Sequence, residues 1–120
     1  MLKSLILFIF LISSHAFGNE KVTGSYVGKI EDKYKNTYPV TSNLEISDGD
    51  VIKGTYEYKY GGKDWYGVFY DGKLSDKDLL IYWKEETRQG WLAISFDENY
   101  NIFTGKWGST NNNGYWSGKK

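Results

Sequence analysis

From residue 22 onward the chain never runs far without a break. Polar clusters, most of them containing Gly, Asn or Asp, fall near 33–37, 48–50, 61–63, 75–78, 85–89, 97–101 and 108–113. No stretch of ten or more residues between them carries apolar side chains at i, i+3, i+4 and i+7 free of a glycine, which is the spacing an amphipathic helix needs to bury one face. What recurs instead is alternation with a period of two, the signature of strands. Seven breaks leave eight runs, predicted as strands at 22–30, 38–47, 51–60, 64–74, 79–84, 90–96, 102–107 and 114–119. Runs of this length separated by short turns describe an up-and-down antiparallel meander.

The turns carry their own chemistry. Ser47-Asp48-Gly49-Asp50 sits between Leu44/Ile46 and Val51/Ile52, and Asp-Gly readily adopts the positive φ values of a tight hairpin. Asp71-Gly72 has the same local signal, but a reversal there would leave only a stub before Ser75, so a bulge within the fourth strand is expected. Side-chain parity assigns faces. Tyr38, Val40, Leu44 and Ile46 share one side of the second strand, and Ile52, Tyr56, Tyr58 and Tyr60 one side of the third, against polar neighbours. Strands four to six are apolar on both faces, and a large exposed apolar patch marks an interaction surface.

An eight-stranded meander has two open edges unless its first and last strands pair, and open edges invite aggregation. Gly24-Ser-Tyr-Val-Gly28 and Gly114-Tyr-Trp-Ser-Gly118 form a matching frame in those two strands, and glycines let strands coil sharply where a small barrel closes. The expected fold is therefore all-β, a closed eight-stranded barrel; the alternative is a two-sheet sandwich in which the same glycines mark corners. Thr23-Gly-Ser-Tyr26, Ile52-Lys-Gly-Thr-Tyr56 and Phe103-Thr-Gly-Lys-Trp107 resemble the Gly-x-aromatic phrases of the avidin and streptavidin family and, more broadly, of calycin barrels. Tyr82-Trp83-Lys84 is similar to an avidin strand that brings a Trp to the ligand. The resemblance implies an up-and-down barrel with one ligand inside. It does not extend to biotin, because Val27-Gly28 stands where avidins carry an Asn, and Glu31-Asp32 replaces their ligand-binding Ser.

The beginning of the chain has a different character. Met1 and Lys3 precede the apolar run 5–12, and Ser13, Ser14, Ala16 and Gly18 follow it. A short basic end, an apolar core and a small-residue exit read as an export signal over 1–18, with a single domain over 19–120. Cleavage after Ala16 also satisfies the small-residue spacing. The eleven residues of 2–12 fall well short of the roughly 20 a spanning helix requires. The expected location is secreted or periplasmic, with no stable membrane anchor after cleavage.

Composition narrows the chemistry. The chain has no Cys, and its only His is His15 in the leader, which removes thiol and imidazole nucleophiles and the usual zinc ligands from the mature protein. Fifteen Lys+Arg balance fifteen Asp+Glu, and Arg88 is the only Arg, so nothing favours a nucleic-acid backbone. Glu57 and the Glu85-Glu86 pair are the candidate carboxylates, the latter read as a solvated hairpin tip, and no catalytic residue, metal or cofactor is assigned. The 22 aromatics (five Trp, eleven Tyr, six Phe) are the excess that needs explaining. Tyr and Trp join an apolar body to a polar tip and serve equally to line a cavity or anchor a partner. Two uses are expected. The first is a non-enzymatic binding protein holding a small apolar or ring-shaped ligand, such as a lipid, vitamin or sugar, against Tyr26, Tyr56, Tyr58, Trp107 and Trp116. The second is a protein-interaction or inhibitor face, including a homo-oligomer contact, anchored by Trp65, Phe69, Trp83 and Trp91.

Overall fold

The computed structural model describes residues 20–120, so the export signal expected over 1–18 lies outside the described residues. Eight strands follow one another: β1 (Gly24–Asp32), β2 (Thr37–Ile46), β3 (Ile52–Tyr60), β4 (Lys63–Ser75), β5 (Asp78–Lys84), β6 (Gln89–Phe96), β7 (Ile102–Gly108) and β8 (Asn113–Lys119). Each pairs antiparallel with the next, and β1 pairs with β8 to close the barrel. The closing seam runs through Val27 opposite Lys119, Ile30 opposite Trp116 and Asp32 opposite Gly114. The sandwich alternative, which leaves those strands unpaired, is thereby set aside.

Glycine makes the seam possible by close approach. A Cβ on Gly114 would stand 1.7 Å from the Glu31 carbonyl oxygen, and one on Gly28 would stand 2.0 Å from that of Ser117. Backbone this close leaves no room for a side chain, so Gly28 and Gly114 are a steric requirement of closure. A Cβ on Gly24 would meet only the Lys120 side chain, and one on Gly118 the Phe103 ring and Tyr26.

The fourth strand carries the expected bulge. Its pairing with β5 slips between Tyr70 and Lys73, and its pairing with β3 slips between Ile52 and Gly54, both around Asp71-Gly72. The β2–β3 reversal differs by one residue from the tight Asp48-Gly49 hairpin expected. A short 3₁₀ turn covers Asp48–Asp50, and the positive φ values fall at Gly49 (75°) and Asp50 (63°). Ser47 fixes this longer loop, its amide N–H and its hydroxyl both donating to the Val51 carbonyl at 2.7 and 3.0 Å.

Up-and-down order places the β2–β3, β4–β5 and β6–β7 turns at one end and the other four connections at the opposite end. The first end is plugged. Tyr26 is fully buried there, packed edge-on against Phe103 at 5.2 Å, and its hydroxyl donates to the carbonyls of Val22 (2.7 Å) and Tyr100 (3.0 Å). Val22, Ile52, Leu79 and Phe103 are fully or almost fully buried with it. The outward face of the pleat is polar along β2 and β3, as its period of two requires, and carries apolar side chains along β4, β5 and β6.

Candidate functional site

The opposite end is open. A cavity of about 850 Å³ enters the barrel between the β1–β2, β3–β4, β5–β6 and β7–β8 connections. Its deep walls are Tyr56, Trp83, Trp107 and Trp116, each buried to 5 % exposure or less. Tyr38, Tyr58, Tyr60 and Trp65 line the upper part. Inward parity puts them there: Tyr56 and Tyr58 are alternate residues of β3, and Trp83 follows Leu79 and Ile81 along β5.

The rings meet at corners. Tyr56 and Trp116 stand nearly perpendicular (81°, 5.1 Å), as do Trp83 and Trp107 (73°, 5.9 Å) and Tyr38 and Tyr60 (78°, 5.0 Å). Edge-to-face contacts align the positive rim of one ring with the negative face of the other. Each indole is also tethered through its N–H: Trp83 donates to the Trp91 carbonyl (3.1 Å), Trp107 to that of Glu31 (3.1 Å) and Trp116 to the Ser42 hydroxyl (3.0 Å). The walls are therefore fixed by packing and hydrogen bonds together.

Two carboxylates organise the rim. Glu85 lies just past the end of β5 and turns inward, accepting from the phenols of Tyr56 (3.0 Å) and Tyr58 (3.2 Å) and from the Arg88 guanidinium (3.1 Å). Arg88 also donates to the Tyr58 oxygen at 2.9 Å. Burial and the Glu85 carboxylate push the Tyr58 phenol up to about 12 and raise that of Tyr56 further. Asp32, at the end of β1, is 5 % exposed and accepts the backbone N–H groups of Tyr34 (2.9 Å) and Asn36 (3.0 Å), the Asn36 amide (3.3 Å) and the Tyr38 hydroxyl. Burial works to raise the Asp32 pKa, and these hydrogen bonds outweigh it, holding the carboxyl below its ordinary range. Burial and the same carboxylate push the Tyr38 phenol up to about 12.

Of the five residues expected to hold a ligand, Tyr56, Tyr58, Trp107 and Trp116 converge on the cavity. Tyr26 does not; it belongs to the plug at the other end. The four residues expected on the outer surface separate. Trp91 is on it, 41 % exposed, whereas Phe69 and Trp83 are each 2 % exposed and point inward, and Trp65 stands at the mouth. Parity explains the correction: Phe69 and Trp83 share the inward register of their strands, and the truly outward set is Tyr66, Val68, Tyr70, Leu80 and Tyr82 beside Trp91. Glu57 is likewise outward and exposed, while Glu85, read as a solvated tip, has a side chain only 8 % exposed.

Asp32, Tyr38, Glu85 and Arg88 are the rim residues that sequence reasoning missed. A signal for two of them was present. Asp32 continues the inward register of Ile30, and Glu85 that of Trp83, so extending parity one step beyond the last apolar residue places both carboxylates inside. Among the described residues no group of three His, Cys, Asp or Glu side chains is gathered as a metal site would need. Comparison with protein-family models, curated proteins and solved structures gives no match.

Proposed function

We propose that the protein is an exported, non-enzymatic binding protein that holds a small apolar or ring-shaped ligand in the aromatic cavity. The observation that carries this reading is the cavity itself, about 850 Å³ and walled by Tyr and Trp, within the size range of ordinary small-molecule sites. A barrel of this size can also be filled solid by its own side chains; here the filling is confined to the Tyr26 end. The mechanism is preorganisation. Rings held by edge-to-face contacts and tethered indoles lose little freedom when a ligand arrives, so the burial of its surface converts efficiently into affinity. The basic end, apolar run and small-residue exit before residue 19 support export.

The two rim carboxylates support a binding role over a hydrolytic one. Glycoside hydrolysis needs one carboxyl free to give a proton and another free to attack or activate water. Glu85 is engaged by two phenols and a guanidinium, and Asp32 by four hydrogen bonds. The test is tryptophan fluorescence titrated with lipids, vitamins and sugars. A saturable change with one class supports the reading, and silence across all classes together with silence toward charged and neutral aromatic probes rejects it.

A second reading is favoured by the outer face of β4, β5 and β6, where Tyr66, Val68, Tyr70, Leu80, Tyr82 and Trp91 are exposed side by side. Such a patch suits a protein partner or a second copy. Sedimentation of the wild type beside Trp91→Lys separates the two: self-association lost in the variant identifies a homo-oligomer contact, and a monomer in both cases leaves the face to a foreign protein.

A further inference from the structure

We infer that the cavity takes an organic cation whose positive charge is spread over a ring or a quaternary nitrogen. The inference rests on the proposed small-ligand reading and specifies its chemistry through three properties of the wall.

The first is what the wall withholds. The indole N–H groups of Trp83, Trp107 and Trp116 are spent on protein oxygens, and that of Trp65 points to the Tyr60 carbonyl at 3.4 Å. The phenolic hydrogens of Tyr38, Tyr56 and Tyr58 are committed to Asp32 and Glu85. The other polar lining residues, such as Asn36, Lys63, Thr87 and Asn112, stand at the strand ends around the mouth. A ligand bristling with hydroxyls finds few open partners along the deep walls, and unpaired polar groups inside a cavity are costly. What remains on offer is ring surface.

The second is what that surface attracts. Aromatic faces carry negative charge and draw cations within about 6 Å of the ring centre. The protein's own cations already use this attraction at the mouth: the Arg88 guanidinium stands 5.9 Å from the Trp83 ring and the Lys63 ammonium 4.6 Å from that of Trp65.

The third is the field. Four carboxylates (Asp32, Asp64, Glu85 and Glu86) and two cations (Lys63 and Arg88) line the cavity. Arg88 answers Glu85 and Lys59 answers Asp64, but among the described residues no Lys or Arg pairs with Asp32. Glu86 also lacks an ion pair among the described residues but is exposed, so Asp32 is the buried carboxylate that no cation answers, and its charge favours a positive ligand over an anion. With four hydrogen bonds already accepted, the same carboxylate has little left for a ligand N–H, which selects diffuse charge over a primary ammonium.

The test is calorimetry on the purified protein with three probes of similar size: benzyltrimethylammonium, benzyl alcohol and phenylacetate. Expected is a preference of about tenfold for the cation over the alcohol, with phenylacetate weakest. Asp32→Asn narrows the cation preference several-fold and Arg88→Gln, which frees the Trp83 face and leaves Glu85 charged, widens it. Circular dichroism establishes that each variant is folded, and the wild-type series decides the matter if one is not. Benzyl alcohol or phenylacetate binding as tightly as the cation overturns the charge assignment while leaving a ligand cavity intact. No heat and no fluorescence change with any of the three, alongside silence across the lipid, vitamin and sugar panel, removes the cavity reading as well.

Discussion

Tyr56 and Tyr58 are alternate residues of one strand, and both give their phenolic hydrogens to Glu85. Removing that acceptor leaves two hydroxyls and a guanidinium without their partner. Glu85→Ala is expected to cost about 1–3 kcal/mol of folding stability, read by chemical denaturation, and to loosen the tyrosine wall; Glu85→Gln, which keeps an acceptor, costs less. The same residues set an alkaline limit. Because the Tyr38 and Tyr58 phenols are raised to about 12 from an ordinary value of 10.0, the folded state favours their neutral form. The stability linked to them is fully present below pH 10 and is lost as pH rises through about 12. Ultraviolet phenolate absorbance should show a late step in the native protein that moves to lower pH in denaturant. Asp32 works in the opposite direction. Its lowered carboxyl contributes stability above the ordinary carboxylate range, and that contribution fades as pH falls through its folded value.

At the scale of elements, the decisive event is the meeting of β1 and β8. Gly114→Ala drives a methyl group to 1.7 Å from the Glu31 carbonyl oxygen, where the obstacle is backbone that cannot step aside. The expected loss is about 3 kcal/mol or more, since overpacking against fixed atoms is among the costlier substitutions. Gly49→Ala serves as the contrast: its space is open, and only the strain of a positive φ of 75° is felt, worth about 1 kcal/mol. Thermal melts of the two variants should rank in that order, and an equal effect would mean the seam is more yielding than its geometry indicates. All eight strands were legible because alternation and turn residues are local signals, and the seam because Gly24, Gly28, Gly114 and Gly118 repeat one spacing. The β2–β3 turn was less so: Asp-Gly announces positive φ, yet whether two or three residues complete the reversal depends on where Ser47 and Val51 come into register.

For the whole molecule, parity divides the aromatics between two destinations, and a sequence with both faces apolar does not say which face is which. Phe69 and Trp83 read as outward residues for that reason, and the core decides between the faces: β4 and β5 curve so that the face bearing Phe69, Leu79, Ile81 and Trp83 meets Trp107 and Trp116 across the barrel. Tyr26 was legible as an inward residue but not as part of a plug, because the end of the barrel it occupies follows from the closed topology. The five tryptophans divide four to one: Trp65, Trp83, Trp107 and Trp116 line the cavity, and Trp91 stands outside it. That division supplies the most direct measurement. In the nitrogen–proton spectrum of the protein, the indole N–H signals report each tryptophan separately. Titration with benzyltrimethylammonium is expected to shift the signals of the cavity four in a saturable way while that of Trp91 stays still. A shift confined to Trp91, or no shift at any of the five at concentrations that saturate the calorimetry, would contradict an interior site.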